Sequence, residues 1–500
     1  MNYEVSNSKV RVAIIAPNLL AMKKGIRRIQ PGLGMMYIGG ELKRRGYEVF
    51  LRDTALEGYD REIQTEIHPD LVQVGESDEE IENYLKEVNP HYIGVTVLFS
   101  NLIQHMSKIF EIAKKVNPKI ITLVGGNYIS ERYEKVLRSN DKIDFAMINE
   151  CDLTFSDFID AHSRGQDYRN IPGIVYRENK EIKVNNASNR INDLSLLPQP
   201  ARDLMNLEKY WEINSFHNPY SKHPKVANVM TTRGCPEKCT FCTTPQRWGA
   251  FVRCRPIEHI KEELLQLKEL GVGEIQFEDD TITANYRHIM ELCDVIEPMN
   301  FIWNTVNGIK INYHIKNTEK HQHMFNRMKE AGCYQVCLGL ESGNQHILDD
   351  LVKKNLNLNV VPQVVEAVQK ADISCHLFLI VGFPGEKMEE MEQTVEFAKS
   401  LGPDSCSLSL YTPIPGTPLF EFSEKNGYLV DDFSEDRILF AKSNIKVPGY
   451  TPEEFEKIVA NWTQELNTAL LTRDPKKYFE KYGRHLGEDI SGKAIFRKHS

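Results

Sequence analysis

The stretch Cys235-Pro-Glu-Lys-Cys239-Thr-Phe-Cys242 carries three cysteines at the spacing C-x3-C-x2-C. Three thiolates on one short loop can bind three irons of a cubane cluster, which leaves the fourth iron without a protein ligand. Electron-transfer clusters are ordinarily held by four cysteines. The spacing therefore predicts an open iron that binds another molecule.

A zinc site, or a chance spacing, is the alternative interpretation of the same residues. A closed zinc site needs four ligands, and the nearest further cysteine, Cys254, has no second cysteine beside it. Under this alternative the chain would be a metal-binding scaffold without turnover.

Composition sets limits on the kind of protein. The chain has 500 residues, 41% hydrophobic and 26% charged, which is enough for two or three domains. A net charge of −9 argues against a nucleic-acid or anionic-membrane partner. No stretch approaches the ~20 apolar residues that span a bilayer. The ten cysteines are scattered apart from the trio, so we expect a reducing, cytoplasmic location.

Residues 1–165 alternate apolar strands with amphipathic helices, which predicts a doubly wound parallel α/β sheet, similar to a Rossmann fold. Residues 166–224 contain a polar hairpin-like stretch and the run Leu197-Pro198-Gln199-Pro200, and predict a connector. Six further βα units in residues 225–420 predict a partial (β/α)6 barrel, shorter than the eight-fold one. Residues 421–500 are charged and predict a helical C-terminal region.

The trio follows the first predicted barrel strand, and barrel active sites occupy that end of the strands. With Phe241 before the last cysteine, it resembles the radical S-adenosylmethionine (SAM) superfamily. The resemblance implies a 4Fe-4S cluster on Cys235, Cys239 and Cys242 whose open iron chelates SAM. One-electron reduction, from a flavodoxin or ferredoxin type of partner, then yields a 5′-deoxyadenosyl radical. The residues that the resemblance implies in SAM binding follow successive barrel strands: Phe241, Glu278, Asp279, Glu341, Ser342, Gly382 and Glu386.

A doubly wound domain ahead of such a barrel resembles the cobalamin-binding arrangement of one radical SAM class. The residues that match the segments lining the cobalamin in that class are Pro31, Gly32, Leu33, Gly34, Ser100, Gly125, Gly126 and Glu150. Cobalamin is therefore the third expected cofactor, beside the cluster and SAM.

The sequence Asp160-Ala161-His162-Ser163-Arg164-Gly165 spells D-x-H-x-x-G, whose histidine ligates cobalt in other cobalamin proteins. That motif belongs after the first strand of its domain, whereas here it ends the last helix, so we interpret it as a surface helix end with Gly165 as its C-cap. Pro17–Gln30, after the first strand, has no histidine. We therefore expect cobalamin without a histidine ligand, its lower face covered by a loop residue or water.

Within that class the chain is most similar to the fosfomycin-pathway methylase type, which acts on a hydroxyalkylphosphonate. Segments such as Thr232–Thr244 and Asn444–Gly449 carry the likeness. It implies methylation of an unactivated sp3 carbon of a small molecule, natural-product or phosphonate-like, with one SAM as methyl donor and another as radical source. A cyclase or rearrangement enzyme with the same cofactors is the alternative, and no residue is assigned to catalysis.

Overall fold

The computed structural model describes residues 9–23, 26–65, 71–435, 438 and 442–476. Its internal contacts divide the chain into two units. Unit 1 comprises Met1–Ser215 with Glu435–Arg437, and unit 2 comprises Phe216–Ser434 with Ile438–Ser500.

Unit 1 is built from alternating strands and helices. Its strands are β1 Arg11–Ala16, β2 Leu19–Met22, β3 Glu48–Asp53, β4 Glu62–Gln64, β5 Leu71–Val74, β6 Tyr92–Thr96, β7 Ile121–Gly125, β8 Phe145–Met147, β9 Ile174–Glu178 and β10 Glu181–Val184. Its α-helices are α1 Leu33–Arg44, α2 Thr54–Glu57, α3 Asp78–Val88, α4 Ile103–Val116, α5 Asn127–Ser139, α6 Thr154–Ser163 and α7 Leu207–Ile213.

The main sheet of unit 1 has the order β10-β9-β8-β7-β6-β1-β3. Within this order, the neighbouring strands β3, β1, β6, β7 and β8 pair in parallel. The interior residues of β1, β6, β7 and β8 are mostly apolar and almost fully buried, as helices on both faces of a parallel sheet require. The predicted doubly wound sheet is confirmed, and its carboxyl edge carries the loops after β1, β6, β7 and β8.

The structure differs from the expected connector at 166–224. The hairpin β9–β10 pairs with β8 and extends the first sheet, and unit 1 continues to Ser215. The physical reason is that β8 would otherwise present an open edge, which an antiparallel strand covers. A small antiparallel sheet, β2-β5-β4, is an addition that the sequence patterns did not predict.

Unit 2 contains the second set of strands and helices. Its strands are β11 Val226–Val229, β12 Thr232–Arg233, β13 Arg253–Cys254, β14 Glu274–Phe277, β15 Ile302–Thr305, β16 Cys333–Glu341, β17 Ser374–Val381 and β18 Ser405–Leu410. Its α-helices are α8 Thr244–Trp248, α9 Ile257–Glu269, α10 Tyr286–Ile296, α11 Thr318–Glu330, α12 Val361–Lys370, α13 Met388–Leu401, α14 Pro418–Lys425 and α15 Pro452–Arg473.

Six parallel strands form the predicted partial barrel, in the order β11-β14-β15-β16-β17-β18. The barrel is open, because β11 and β18 do not pair with each other. Asn467 of α15 covers the edge of β18: its side-chain amide accepts from the Cys406 N–H and donates to the Cys406 oxygen, both at 3.0 Å. The predicted C-terminal helical region thus includes α15, while residues 477–500 lie outside the described part.

Candidate active site and cofactor edge

The three cysteines lie on a loop, residues 234–243, that joins β12 to α8 at the carboxyl end of the barrel; we call it the cluster loop. Gly234 opens the loop at φ +96°, and a Cβ there would lie 2.2 Å from the Phe251 backbone oxygen. Only glycine fits this approach without strain.

The three thiols are free and half-buried. Burial raises the pKa of Cys235 and of Cys239 to about 11, and it raises the pKa of Cys242 as well. Metal binding must therefore release thiol protons. Among the described residues no three side chains converge as ligands of a single ion. Cubane thiolates bind different irons and surround a cluster, so this donor set still fits one.

Thr240 fastens the cluster loop to two later parts of the barrel. Its N–H donates to the Val352 oxygen at 3.0 Å and its hydroxyl to the Leu351 oxygen at 2.5 Å. Both acceptors end a π-helical turn, Ile347–Val352, that follows β16. The Leu419 N–H in turn donates to the Thr240 oxygen at 3.0 Å. One residue between two cysteines thereby ties the loop to the segments after β16 and β18.

Two further contacts hold the same loop. Glu237 accepts a 2.8 Å hydrogen bond from the buried Lys310 ammonium and a 3.2 Å bond from the Tyr313 hydroxyl. Phe241, predicted beside SAM, packs against a cluster of buried apolar residues, with its ring centroid 6.3 Å from that of Phe383. In this structure Phe241 therefore anchors the cluster loop.

The acidic run after β14 divides into different roles. Asp279 is fully buried and accepts from the backbone N–H and the hydroxyl of both Thr231 and Thr232, at 2.5 to 3.1 Å. Burial raises the pKa of Asp279 to about 6. Asp280 accepts from the Thr244 hydroxyl at 3.0 Å. These two carboxylates position both ends of the cluster loop.

Glu278, by contrast, lies at the barrel mouth. Its carboxylate is 3.1 Å from Nδ1 of His217, and the Glu278 side chain is only 12% exposed. The Asn307 amide donates to its backbone oxygen at 2.9 Å. Glu278 is thus the member of the run best placed to meet a bound molecule's ammonium.

Glu341 ends β16 in a left-handed conformation, φ +68°, next to a register shift in the strand. Such a conformation is uncommon for a residue with a Cβ and is concentrated at functional sites. Its carboxylate lies 2.8 Å from the ammonium of Lys354, and both side chains are about one-tenth exposed. Burial opposes the charged lysine, but the neighbouring Glu341 carboxylate raises the pKa of Lys354.

Ser342 and Glu386 bond to the barrel itself. The Ser342 hydroxyl is fully buried and lies 3.1 Å from the Thr394 hydroxyl of α13. Glu386 accepts from the N–H groups of Gly382 and Phe383 at 2.7 and 2.9 Å, which closes the turn after β17. Burial raises the pKa of Glu386 to about 8. These residues shape the predicted SAM side of the mouth through the backbone.

In unit 1 the predicted cobalamin residues gather at the carboxyl edge of the main sheet. Pro31, Gly32, Leu33 and Gly34 form the start of α1. Ser100 is buried in a turn after β6, Gly125 ends β7 and Gly126 follows it. Buried Glu150 follows β8 and accepts from the Ile191 N–H at 3.3 Å. The fold therefore brings segments from four strand ends to one edge.

This edge suits a corrin ring by shape and by polarity. Gly126 has φ +111°, and a Cβ there would lie 2.4 Å from the Val97 oxygen, so glycine permits the loops after β6 and β7 to meet. Leu98 and Phe99 in the β6 loop are 47% and 43% exposed. Large apolar side chains on an exposed loop provide a surface for a bound macrocycle.

The D-x-H-x-x-G stretch lies at the amino ends of the parallel strands, opposite the carboxyl edge that carries the predicted cobalamin residues. His162 Nδ1 is 2.9 Å from the hydroxyl of Tyr92, the first residue of β6. Asp160 is bonded to Arg45 and Tyr47, and Gly165 has φ +65° just past α6. The helix-end interpretation is confirmed, although Asp160 and His162 are half-buried in contacts rather than on the surface.

Sequence patterns missed several residues of the site. Lys310 and Lys354 are buried beside the cluster loop, yet neither belongs to a recognisable sequence motif. Arg255 is buried in an ion pair of 2.6 Å with Glu263. The alternation R-C-R before a helix was the available signal that Arg253 and Arg255 both turn inward.

Comparison with known families agrees with this arrangement. The radical SAM superfamily model matches residues 229–398, and the B12 binding domain model matches residues 26–159. The first covers the cluster loop and the four barrel strands β14, β15, β16 and β17; the second covers the proposed cobalamin edge.

Curated relatives match over nearly the whole chain. The cytidylyl-2-hydroxyethylphosphonate methyltransferase of Streptomyces wedmorensis is 27% identical over 486 residues, which cover 91% of this chain and 90% of that protein. The anaerobic magnesium-protoporphyrin IX monomethyl ester cyclase of Rubrivivax gelatinosus is 24% identical, covering 90% and 75%.

Among solved structures, the radical SAM methyltransferase TsrM from Kitasatospora setae, with cobalamin and a [4Fe-4S] cluster bound, matches with a TM-score of 0.65. The match is 15% identical and covers 84% of this chain and 79% of that one. The cobalamin-dependent radical enzyme OxsB matches with a TM-score of 0.69 at 14% identity, covering 96% of this chain and 73% of that one.

None of the helices in the described part of the chain combines the length and the apolar character of a membrane-spanning helix. With both domain models matched in the expected order, the chain combines a B12 binding domain with a radical SAM domain and is a cobalamin-dependent radical SAM enzyme whose relatives include methyltransferases.

Proposed function

We propose that this protein methylates an unactivated sp3 carbon of a small, phosphonate-like substrate, using one SAM as methyl donor and another as radical source. The observation that carries the proposal is the presence, in one chain, of a three-thiol loop at a barrel mouth and a glycine-lined, apolar sheet edge of the cobalamin type. Bound cobalamin supplies methyl transfer and the cluster supplies SAM cleavage, while the protein positions both. A cytoplasmic location and a flavodoxin or ferredoxin type of reductant belong to the same proposal.

A cationic stack beside the cluster loop favours an anionic substrate. The guanidinium carbons of Arg233 and Arg247 lie 4.7 and 5.0 Å from the ring centroid of Trp248. Arg253 donates to the Trp248 oxygen at 2.9 Å. Three arginines thus converge on Trp248 at the end of α8, two of them on its indole and one on its backbone oxygen.

Arg247 is the member of this stack whose guanidinium is best suited to bind an anion. Among the described residues no carboxylate lies within ion-pair distance of Arg247, although the more distant Asp280 interacts with it electrostatically, and the Nε of Arg247 is buried without a hydrogen-bond partner. A guanidinium matches the paired oxygens of a phosphonate or phosphate. The relative from Streptomyces wedmorensis is named for a phosphonate substrate, which agrees with this chemistry.

The test uses reconstituted full-length protein, methyl-deuterated SAM, a low-potential reductant and cytidylyl-2-hydroxyethylphosphonate as trial substrate. We expect a product that carries the intact labelled methyl group. Arg247→Met should raise the KM for the phosphonate about tenfold or more, because a charge-assisted contact is lost. Lys238→Met removes an exposed cation from the neighbouring cluster loop and should change neither KM nor kcat. An equal effect of both variants would count against an Arg247–phosphonate contact.

The second candidate function is a cyclase or rearrangement without methyl transfer, and the Rubrivivax gelatinosus relative favours it. Under that function the labelled methyl group would never enter the product. The same reaction mixtures would then contain 5′-deoxyadenosine and a product with the carbon count of its substrate.

A further inference from the structure

Two buried lysines lie beside the cluster loop. The Lys310 ammonium donates to the Glu237 carboxylate at 2.8 Å and also to the backbone oxygen of Lys354. The Lys354 ammonium lies 2.8 Å from the Glu341 carboxylate. The side chains of Lys310 and Lys354 are only 4% and 9% exposed. One connected set of residues therefore holds two positive charges out of water.

The backbone fixes Lys354 next to the cysteines. Val352, two residues before it, accepts from the Thr240 N–H at 3.0 Å, and Thr240 directly follows Cys239. The Lys354 side chain lies against β16, because a Cβ on Gly339 would be 3.1 Å from its ammonium nitrogen. Glycine at position 339 thus leaves the space that the ammonium occupies.

Electrostatic interactions connect this ammonium with the thiols. Burial raises the pKa of Cys239, and Lys354 opposes that rise more strongly than any other charged group does. The Glu341 carboxylate adds to the rise, but its effect is smaller than that of Lys354. Burial opposes the charged form of Lys354, whereas Glu341 and two cysteines of the cluster loop raise its pKa. The cation is therefore the member of the Glu341–Lys354 pair that acts more strongly on Cys239.

A 4Fe-4S cluster on three thiolates carries one net negative charge when oxidised and two when reduced, and its reduction potential depends on net charge and solvent exposure. We infer that Lys354 is the charge-compensating residue of the cluster and raises its reduction potential, so that one electron from an external donor enters more readily. The inference goes beyond the proposed function, because it needs the bound cluster and neither cobalamin nor methyl transfer.

The test is a reductive titration of the full-length protein, reconstituted with the cluster and followed by the electron paramagnetic resonance signal of the reduced form. SAM is left out, and cobalamin is left out so that no cobalt signal overlaps. Lys354→Met should shift the reduction equilibrium about tenfold or more toward the oxidised cluster, which is about 59 mV for a one-electron couple. Lys354→Arg keeps the charge and should stay within about twofold of wild type.

Further variants separate the effect of charge from an effect on folding. Glu341→Gln removes the opposing carboxylate and should shift the equilibrium toward the reduced cluster. The double variant Glu341→Gln with Lys354→Met loses both charges and should still have a lower potential than wild type. Lys238→Met, beside Cys239 in sequence, is the matched control: its cation is exposed and screened by water, so the shift should be less than about twofold. If Lys354→Met fails to fold, Glu341→Gln and the double variant still decide.

Three results would overturn the inference: a wild-type potential in Lys354→Met, an equally lowered potential in Lys354→Arg, or a lowered potential in Glu341→Gln. The first would be observed if Lys354 acted only on bound SAM, because SAM is absent from the titration. Failure of methyl transfer would show separately, because S-adenosylhomocysteine and 5′-deoxyadenosine are measured in a different reaction, with all cofactors bound.

Discussion

The Thr240 hydroxyl donates a 2.5 Å hydrogen bond to the Leu351 oxygen and so joins the cluster loop to the π-helical turn after β16. π-Helical turns are frequent at functional sites. We expect Thr240→Val, which keeps the side-chain shape, to cost about 1 kcal/mol and to speed the loss of iron to a chelator several-fold. Thr240→Ser keeps the hydroxyl and should lose iron at the wild-type rate; equal loss from both variants would contradict this role.

Asp279 should matter for assembly of the cluster loop. The Asp279 carboxylate accepts hydrogen bonds from four N–H and O–H groups. In Asp279→Asn the new amide N–H groups would face those donors, which should destabilise the protein by about 2–3 kcal/mol. Iron content after reconstitution and the thermal midpoint measure the effect. Glu278→Gln, one residue earlier, leaves Thr231 and Thr232 satisfied and should bind iron normally. A normal iron content in Asp279→Asn would show that this carboxylate is not needed for assembly of the cluster loop.

The buried pair of Glu341 and Lys354 predicts a non-additive double-mutant cycle. Lys354→Met alone leaves a buried carboxylate without its cation, which typically costs about 3–5 kcal/mol. Adding Glu341→Gln should recover part of that loss, because no charge then remains buried. Thermal unfolding of the two single variants and the double variant measures the coupling. Additive losses would mean that the two side chains do not stabilise each other.

Glu386 predicts a pH dependence with a definite sign. Its folded pKa of about 8 lies above the ordinary value of 4.5, so the folded state holds the proton more tightly than the unfolded state. The stability that comes from this proton is complete below pH 4.5 and is lost as the pH rises to about 8.

Glu386→Gln mimics the protonated form and should not show that loss. Relative to wild type, we expect the variant to gain about 1–3 kcal/mol between pH 5 and pH 8. Thermal midpoints of both proteins across this range measure the difference. A gap that is constant with pH would show that Glu386 titrates normally.

Much of the architecture could be predicted from local patterns. The barrel strands are apolar runs bounded by turn residues, and the cysteine spacing places a cluster at the end of the first. The sequence predicts a hairpin at β9–β10 but not its place in the first sheet, because the pairing with β8 depends on a strand edge that no local pattern reveals.

The residues around the site were harder to predict, because their roles depend on contacts across the fold. The sequence predicts that Asp279 binds a ligand. In the fold its carboxylate instead accepts hydrogen bonds from two threonines that lie 47 and 48 residues earlier in the chain. Lys354 belongs to no motif, and only the folded chain brings it to Glu341.

The central claim is that this chain uses SAM in two ways. The most direct measurement is product analysis after incubating the protein, reconstituted with cluster and cobalamin, with SAM and a low-potential reductant. We expect S-adenosylhomocysteine with methylcobalamin, and also 5′-deoxyadenosine; Cys239→Ala should lose the 5′-deoxyadenosine and still bind cobalamin. Formation of 5′-deoxyadenosine without any S-adenosylhomocysteine or methylcobalamin would contradict methyl transfer.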